Sequence, residues 1–274
     1  MRCMCVVLLV AACGSSAPPA DRPTQFGGSR PADLKVPPNL DETKAYPLLI
    51  VLHGYGANGF AQEAVFGVTQ LAATGEAFLI APDGLVDSTG HQYWNADPDC
   101  CDLDHSGVDD AAYLGTMIDD IMIAYPEIDP TRVYLLGHSN GGYMAYRMAC
   151  LRADVISSIG VLAGVASQLP CTPSHPVNVL HMHGTADESV PYASAVPSVQ
   201  KWAGYDGCAA TRTMTGTLDI ETKIAGAETT IEVEDGCPTG VEIELWTLTG
   251  APHLPSFNAS YEPAVWAWFG AHHR

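Results

Sequence analysis

The chain has 274 residues, and its 31 acidic side chains outnumber 12 basic ones, so that the net charge is −19. Such acidity argues against nucleic acid or an anionic membrane surface as a partner, because both bind clustered positive charge. Beyond that exclusion, the charge indicates only a soluble surface.

The amino terminus is predicted to be a targeting signal. Arg2 precedes a short apolar core at 6–10, which is too short to span a membrane as a helix. The small residues that lead to Cys13 resemble a bacterial lipobox and imply cleavage before that cysteine and its lipidation. An ordinary signal peptide cut near Ala17 or Ala20 is the alternative.

Three regions follow from this interpretation. We expect a signal peptide at 1–12, and a lipidated Cys13 with a flexible tether over 13–38, which is rich in Ser, Ala, Pro and Gly. Residues 39–274 suit one catalytic domain. The protein is therefore expected to be exported, either as a membrane-anchored lipoprotein at the periplasmic or cell surface or as a secreted protein. Its only membrane contact would be the lipid anchor.

Apolar runs alternate with helical patterns along this domain. Buried strands are predicted at 47–52, 78–81, 133–136 and 177–182, and an edge pair at 229–233 and 241–248. Helices are predicted at 110–125, 140–150, 198–205 and 262–270, the first capped by the acidic pair before it. This alternation predicts an α/β fold with a mostly parallel central sheet and helices on both faces.

Six cysteines remain after the leader is removed, an even number that indicates up to three disulfides in an exported domain. Cys208 with Cys237 is the favoured pair, and Cys150 with Cys171 is the second choice. Cys100 and Cys101 are neighbours that either bond to each other or pair elsewhere. The absence of CxxC spacing argues against zinc, and no metal site is predicted.

The segment Gly137–Gly141 (GHSNG) carries the strongest chemical signal. It follows a predicted strand and opens a predicted helix, which is the context of a G-x-S-x-G nucleophile turn. Ser139 is the predicted nucleophile, Asp187 after the next strands is the acid, and His253 before the last helix is the base. The order serine, acid, histidine is that of α/β-hydrolases.

The oxyanion hole requires two main-chain donors. The amide of Asn140, which follows the nucleophile, is one candidate. The amide of Tyr55, in the glycine-containing loop after the first strand, is the other.

The chain resembles the polyhydroxybutyrate depolymerase and feruloyl esterase group of α/β-hydrolases, including its lipoprotein members. The matching motifs are LHGYG at 52–56, YWNA at 93–96 with the cysteine pair at 100–101, VDDAAYL at 108–114, and the long segments 125–150 and 181–192. The resemblance implies an extracellular ester hydrolase without cofactor, with no large lid, and supports the triad by position.

Some expectations about substrate contacts follow from the resemblance and its departures. Trp94 either lines the cleft or packs as a buried aromatic, and both roles stay open. His138, inside the turn, is expected to contact substrate. Leu254 stands where family members often carry tryptophan, which predicts a wider or different cleft.

The predicted function is hydrolysis of carboxylic esters through an acyl-enzyme. Feruloyl or acetyl-type esters and short hydroxyalkanoate polyesters or oligomers are the expected substrates. A catalytically silent, surface-anchored binding protein and a serine peptidase are the alternatives.

Overall fold

Strand β3 lies in the interior of the fold. All of its residues are buried, and because its side chains alternate between the two faces of the sheet, other elements must pack on both faces. The computed structural model describes residues 22–274. The strands are β1 (Gln25–Phe26), β2 (Ala32–Asp33), β3 (Tyr46–Leu52), β4 (Phe78–Ile80), β5 (Leu85–Val86), β6 (Gln92–Tyr93), β7 (Ile128–His138), β8 (Ser158–Leu162), β9 (Asn178–Gly184), β10 (Arg212–Leu218), β11 (Thr229–Glu234) and β12 (Ile243–Leu248). The helices are α1 (Gly59–Phe66), α2 (Thr69–Ala73), α3 (Asp110–Ala124), α4 (Asn140–Leu151), α5 (Ala195–Asp206), which a 3₁₀ turn (Tyr192–Ser194) precedes, and α6 (Tyr261–Ala271).

The main sheet of the described chain has eight strands in the order β10-β11-β12-β9-β8-β7-β3-β4. The six strands from β12 to β4 are parallel to their neighbours. At the other edge β11 pairs antiparallel with both β10 and β12. The predicted mostly parallel sheet and the predicted pairing of β11 with β12 are therefore confirmed, whereas β10, which forms the edge, was not predicted.

Helices cover both faces of this sheet. Along β3, Leu48, Ile50 and Leu52 belong to one hydrophobic cluster, whereas Leu49 and Val51 belong to the other. Helices α3, α4 and α5 contribute to the first cluster, and α1, α2 and α6 contribute to the second. This is the α/β-hydrolase arrangement that the sequence predicted. No helix in the described range is both long and apolar enough to cross a membrane.

The sequence did not predict β8 in the middle of the sheet. Its glycine explains the omission, since glycine is unfavourable in strand interiors. A Cβ at Gly160 would lie 2.7 Å from a Leu136 methyl carbon and 3.1 Å from the Phe269 ring. Gly160 therefore allows α6 to approach the sheet closely.

The prediction of a flexible tether over 13–38 is wrong for 22–38. Phe26 and Leu34 are only 7% and 4% exposed and belong to the main core cluster. Lys35 exchanges two main-chain hydrogen bonds with Leu79, at 2.8 and 3.1 Å, and so covers the outer edge of β4. These contacts bind the segment to the domain although its composition is polar and rich in proline. The predicted signal peptide at 1–12, Cys13 and the tether up to residue 21 lie outside the described residues.

Ion pairs also hold the amino-terminal segment. Arg30 lies 2.7 Å from the buried carboxylate of Asp110, and its guanidinium lies over the Tyr113 ring at 3.8 Å. Asp110 also accepts a hydrogen bond from the Asn95 amide at 2.7 Å. Burial raises the pKa of Asp110, and these two partners oppose that effect. The segment thus supplies the counter-ion of a buried acid.

The described cysteines form three disulfides. Cys150 bonds to Cys171 and Cys208 bonds to Cys237, which are the two pairs that the sequence favours. Cys100 bonds to its neighbour Cys101.

Replacing Arg30 should destabilise the domain. Arg30→Leu leaves the Asp110 carboxylate buried without its counter-ion, and we expect a loss of about 3 kcal/mol in the free energy of unfolding. Urea denaturation followed by circular dichroism measures this loss. Lys44→Ala is the matched control, because Lys44 pairs with Asp41 at the exposed surface and should cost less than about 0.5 kcal/mol. Equal losses in the two variants would contradict the assignment.

Candidate active site

The chain turns sharply between β7 and α4, and Ser139 occupies the turn. Ser139 has φ 51° and ψ −120°, a conformation that residues with a side chain rarely adopt. A Cβ at Gly137 would lie 2.2 Å from the Gly141 oxygen, and one at Gly141 would lie 2.2 Å from the Leu52 oxygen. The two glycines therefore permit the turn, which lifts the serine above the carboxyl ends of the parallel strands.

Asp187 and His253 come together because they follow β9 and β12, which are neighbours in the sheet. His253 Nδ1–H donates to Asp187 Oδ2 at 2.7 Å. The amides of Ser189 and Val190 donate to Oδ1, each at 2.8 Å. Burial disfavours the charged carboxylate, but these hydrogen bonds outweigh it, and the pKa of Asp187 lies below its ordinary value. The imidazole thus meets an ionised and well-held acceptor.

His138 brings the histidine loop to the serine turn. Its Nε2–H donates to the main-chain oxygen of His253 at 3.1 Å, and the two ring centroids are 4.8 Å apart. Since Ser139 follows His138 directly, this contact brings the base next to the serine. The hydrogen bonds of the described residues do not include one from Ser139 Oγ to the imidazole. Such bonds are often long in active sites without substrate.

The role of His138 differs from its predicted contact with substrate. It is 7% exposed and does not line the cleft beside Ser139. Burial, with His253 as a second cause, lowers the pKa of His138 to about 4. A neutral His138 donates through Nε2, since the oxygen that it meets can only accept. The side chain therefore supports the base rather than the substrate.

Two main-chain donors are free beside the serine. The amides of Tyr55, in the loop after β3, and Asn140, the first residue of α4, have no acceptor in the described part of the chain. Tyr55 and Ser139 line the same cleft. Free donors at a helix amino terminus and in a facing loop suit an oxyanion. The sequence names the same two amides, and their role as the oxyanion hole stays a prediction.

The Asn140 side chain ties the serine turn to the loop before α3. Trp94 N–H donates to Asn140 Oδ1 at 2.7 Å, and Asn140 Nδ2 donates to the Trp94 oxygen at 2.9 Å. Trp94 is fully buried, and its indole N–H donates to the His53 oxygen at 3.1 Å. Of its two possible roles Trp94 has the packed one, and its prediction as a substrate-binding residue is wrong.

A cleft of about 350 Å³ opens beside Ser139. Its lining is largely apolar and aromatic, and consists of Tyr55, Asp99, Cys100, Cys101, Leu103, Ser139, Tyr143, Ser189 and Val190. Two lining residues were not predicted from the sequence. Leu103 is 64% exposed in an acidic loop, and Tyr143 carries no signal beyond its place on α4. Leu254 is 46% exposed and is not among these lining residues, and its contact with substrate stays a prediction.

The vicinal disulfide forms part of the cleft wall. Cys100 and Cys101 both line the cleft. Asn140 Nδ2 lies 3.6 Å from Cys100 Sγ. The disulfide therefore contacts the residue that follows the serine.

Residues 39–203 match the family model described as phospholipase/carboxylesterase. Feruloyl esterase B of Piromyces equi is 28% identical over 240 residues, which are 80% of this chain and 42% of that protein. Probable feruloyl esterase C of Aspergillus flavus is 31% identical over 182 residues, which are 64% of this chain and 61% of that protein. The chain thus spans less than two thirds of the length of either relative.

Among solved structures, the acetyl xylan esterase from Aspergillus awamori is similar to this chain with a TM-score of 0.66. The match covers 92% of this chain and 98% of that one at 15% sequence identity. At this level of identity the similarity shows a common fold.

The buried, neutral His138 predicts a stability that falls in acid. Its pKa is about 4 in the folded protein against an ordinary value of 6.5, so the unfolded state binds the proton first as pH falls. The stability from the neutral His138 is complete above about pH 6.5 and falls progressively toward pH 4, where the loss amounts to about 3 kcal/mol.

Urea denaturation of wild type and His138→Gln at pH 7 and pH 4.5 measures this effect. The loss of unfolding free energy between the two pH values should be smaller in His138→Gln by about 2 kcal/mol. An equal loss in both proteins would mean that His138 is not held neutral by burial.

Proposed function

The chain belongs to the phospholipase/carboxylesterase family, and we propose that it is a serine carboxylester hydrolase that works through an acyl-enzyme. One observation carries the proposal above all. The hydrogen bond of 2.7 Å between His253 and a buried Asp187 lies beside a serine in a positive-φ turn. A buried carboxylate, an imidazole and a raised serine together form a base-activated nucleophile.

Acylation begins when His253 Nε2 takes the proton of Ser139. The Oγ attacks the ester carbonyl carbon, and the carbonyl oxygen becomes an oxyanion. The amides of Tyr55 and Asn140 donate to it, while Asp187 stabilises the imidazolium. His253 then gives its proton to the leaving alcohol as the acyl–oxygen bond breaks.

Deacylation repeats these steps with water. His253 takes a proton from the water molecule, which attacks the acyl carbon. The acid leaves as Ser139 recovers its proton. The amino end of α4, which begins at Asn140, favours the negative charge in both steps.

The cleft favours an aromatic acyl group. Tyr55, Tyr143 and Leu103 offer aromatic and apolar surface, and the two disulfide sulfurs are polarisable neighbours for a ring. Asp99 is the only charged side chain in the lining, and it disfavours an anionic acyl group. Feruloyl-type esters, which the names of the relatives suggest, fit this surface better than acetyl or hydroxyalkanoate esters.

Export to an oxidising compartment is part of the proposal. The described chain has three disulfides, which persist outside the reducing cytosol. Lipidation of Cys13 stays a prediction from the sequence.

Loss of Ser139 should abolish turnover. Ser139→Ala is expected to lower kcat for methyl ferulate and p-nitrophenyl acetate by about 10⁴-fold or more. A fluorophosphonate probe should label the wild type and fail to label this variant. Ser174→Ala, which alters an exposed serine, is the control and should match the wild type.

Two results would contradict the mechanism. Turnover that survives in Ser139→Ala requires another nucleophile. A folded wild type that takes no probe and hydrolyses no ester would be the binding protein considered from the sequence, and cleavage of amides alone would favour the peptidase.

Truncation of Leu103 should weaken aromatic substrates selectively. Leu103→Ala removes apolar surface from the cleft, and we expect KM for methyl ferulate to rise roughly 5- to 10-fold. KM for p-nitrophenyl acetate should change less, because the acetyl group is short. Ile123→Ala is the control, since Ile123 is 80% exposed on α3. A hydroxybutyrate oligomer hydrolysed faster than methyl ferulate would contradict the aromatic preference.

A further inference from the structure

A continuous chain of buried polar side chains lies behind Asp187. Tyr146 Oη is 2.9 Å from His181 Nδ1, and His181 Nε2 is 3.2 Å from His183 Nδ1. His183 Nε2 lies 2.9 Å from the Val190 oxygen and 3.2 Å from Asp187 Oδ2. Tyr146 is 1% exposed and both histidines are fully buried. The mechanism described above uses neither histidine.

The acceptor at one end sets the direction of every hydrogen bond in this chain. The Val190 oxygen can only accept, so His183 Nε2 carries a proton and Nδ1 accepts. His181 then donates through Nε2 and accepts through Nδ1, and the Tyr146 hydroxyl donates to it. All the donors therefore point toward the carboxylate.

This arrangement requires both histidines to be neutral. Burial lowers the pKa of His181 well below its ordinary value, and it also lowers the pKa of His183. The Val190 oxygen and the Asp187 carboxylate oppose the second shift without cancelling it. Each histidine consequently has one donor and one acceptor nitrogen, as the distances require.

We propose that His183 is a positioning residue of the esterase reaction, which orients the triad carboxylate through a donor whose tautomer the Val190 oxygen fixes and Tyr146 and His181 reinforce. This inference rests on the proposed function. His183 Nε2 hydrogen-bonds to the Val190 carbonyl and lies 3.2 Å from Asp187 Oδ2, while Oδ1 accepts from the Ser189 and Val190 amides. The carboxylate is thus held at both oxygens, and Oδ2 keeps its direction toward His253 Nδ1.

Packing alone does not account for a histidine at this place. An apolar ring would fill the same space, and a buried polar group costs free energy unless every partner is present. Here the partners are present in sequence from Tyr146 to Asp187. Such a complete network is expected where the orientation of a catalytic group, here the Asp187 carboxylate, must be fixed.

Four groups face His183 and influence its protonation. On its own strand lies His181, and Asp187 follows in the next turn. His253 approaches from the loop after β12, and the Tyr192 ring meets His183 edge-on with centroids 5.8 Å apart.

The test compares His183→Phe with His183→Gln. His183→Phe keeps a ring but loses the donor, and we expect kcat for methyl ferulate to fall about 10- to 100-fold with KM within about twofold. Without this donor, the negative charge of Asp187 is less shared with His183 and stabilises the protonated form of His253 more strongly. The acidic limb of kcat/KM therefore moves to higher pH, by about half a unit.

His183→Gln restores an N–H near the position of Nε2 and should recover most of kcat and the wild-type limb. A packing role would give no shift of the limb and no rescue by glutamine. Wild-type kcat and limb in a folded His183→Phe would overturn the proposal.

A second pair of variants tests the far end of the chain without altering a histidine. Tyr146→Phe removes only the hydroxyl that donates to His181, and we expect kcat to fall about 3- to 10-fold. Tyr134→Phe is the matched control, because Tyr134 is equally buried and its hydroxyl has no partner among residues 22–274. Equal rates in the two variants would overturn the contribution of Tyr146 to the proposed positioning.

Failure of the proposed function gives a different result from failure of this inference. An inactive wild type that takes no fluorophosphonate at Ser139 would refute the esterase itself. An active, labelled wild type with an equally active His183→Phe would refute only the positioning role.

Discussion

The close packing of α4 against the ends of β3 and β8 is the constraint from which the site follows. Gly141 lies against the main chain of Leu52, where no Cβ fits. Ser139 N–H donates to the Leu162 oxygen at 2.8 Å. These contacts hold the serine in a backbone conformation that costs about 1–3 kcal/mol. Once the turn is held there, the ends of the neighbouring strands determine where the acid, the base and the oxyanion donors lie.

Around this turn the protein surrounds one ionised carboxylate with neutral imidazoles. Burial lowers the pKa of His138, His181 and His183. None of them therefore competes as a cation for the charge of Asp187. The positive charge that His253 gains in each proton transfer meets this carboxylate at 2.7 Å. Burial is costly for the charged form of each of these groups. It keeps the three histidines neutral, and the contact between Asp187 and protonated His253 is therefore the strong charge interaction of the proposed mechanism.

The sheet and the candidate triad could be predicted because their signals are local: apolar runs closed by glycine, and a fixed order of nucleophile, acid and base. What escaped prediction depends on contacts between distant segments. Phe26 and Leu34 anchor a segment whose average composition is that of a linker. Gly160 interrupts a strand pattern in order to admit a helix. Trp94 and His183 have roles that become visible only when their partners across the fold are known.

The vicinal disulfide makes the cleft sensitive to how the protein is prepared. Cys100 Sγ lies 3.6 Å from the side chain of Asn140, whose amide is a proposed oxyanion donor. A thiol reductant that opens the Cys100–Cys101 bond places two S–H groups in the wall beside the serine and leaves the sheet untouched. Protein with this bond open and protein with it closed would then present different surfaces to a substrate beside Ser139. Thiol content should accordingly accompany any comparison of substrates.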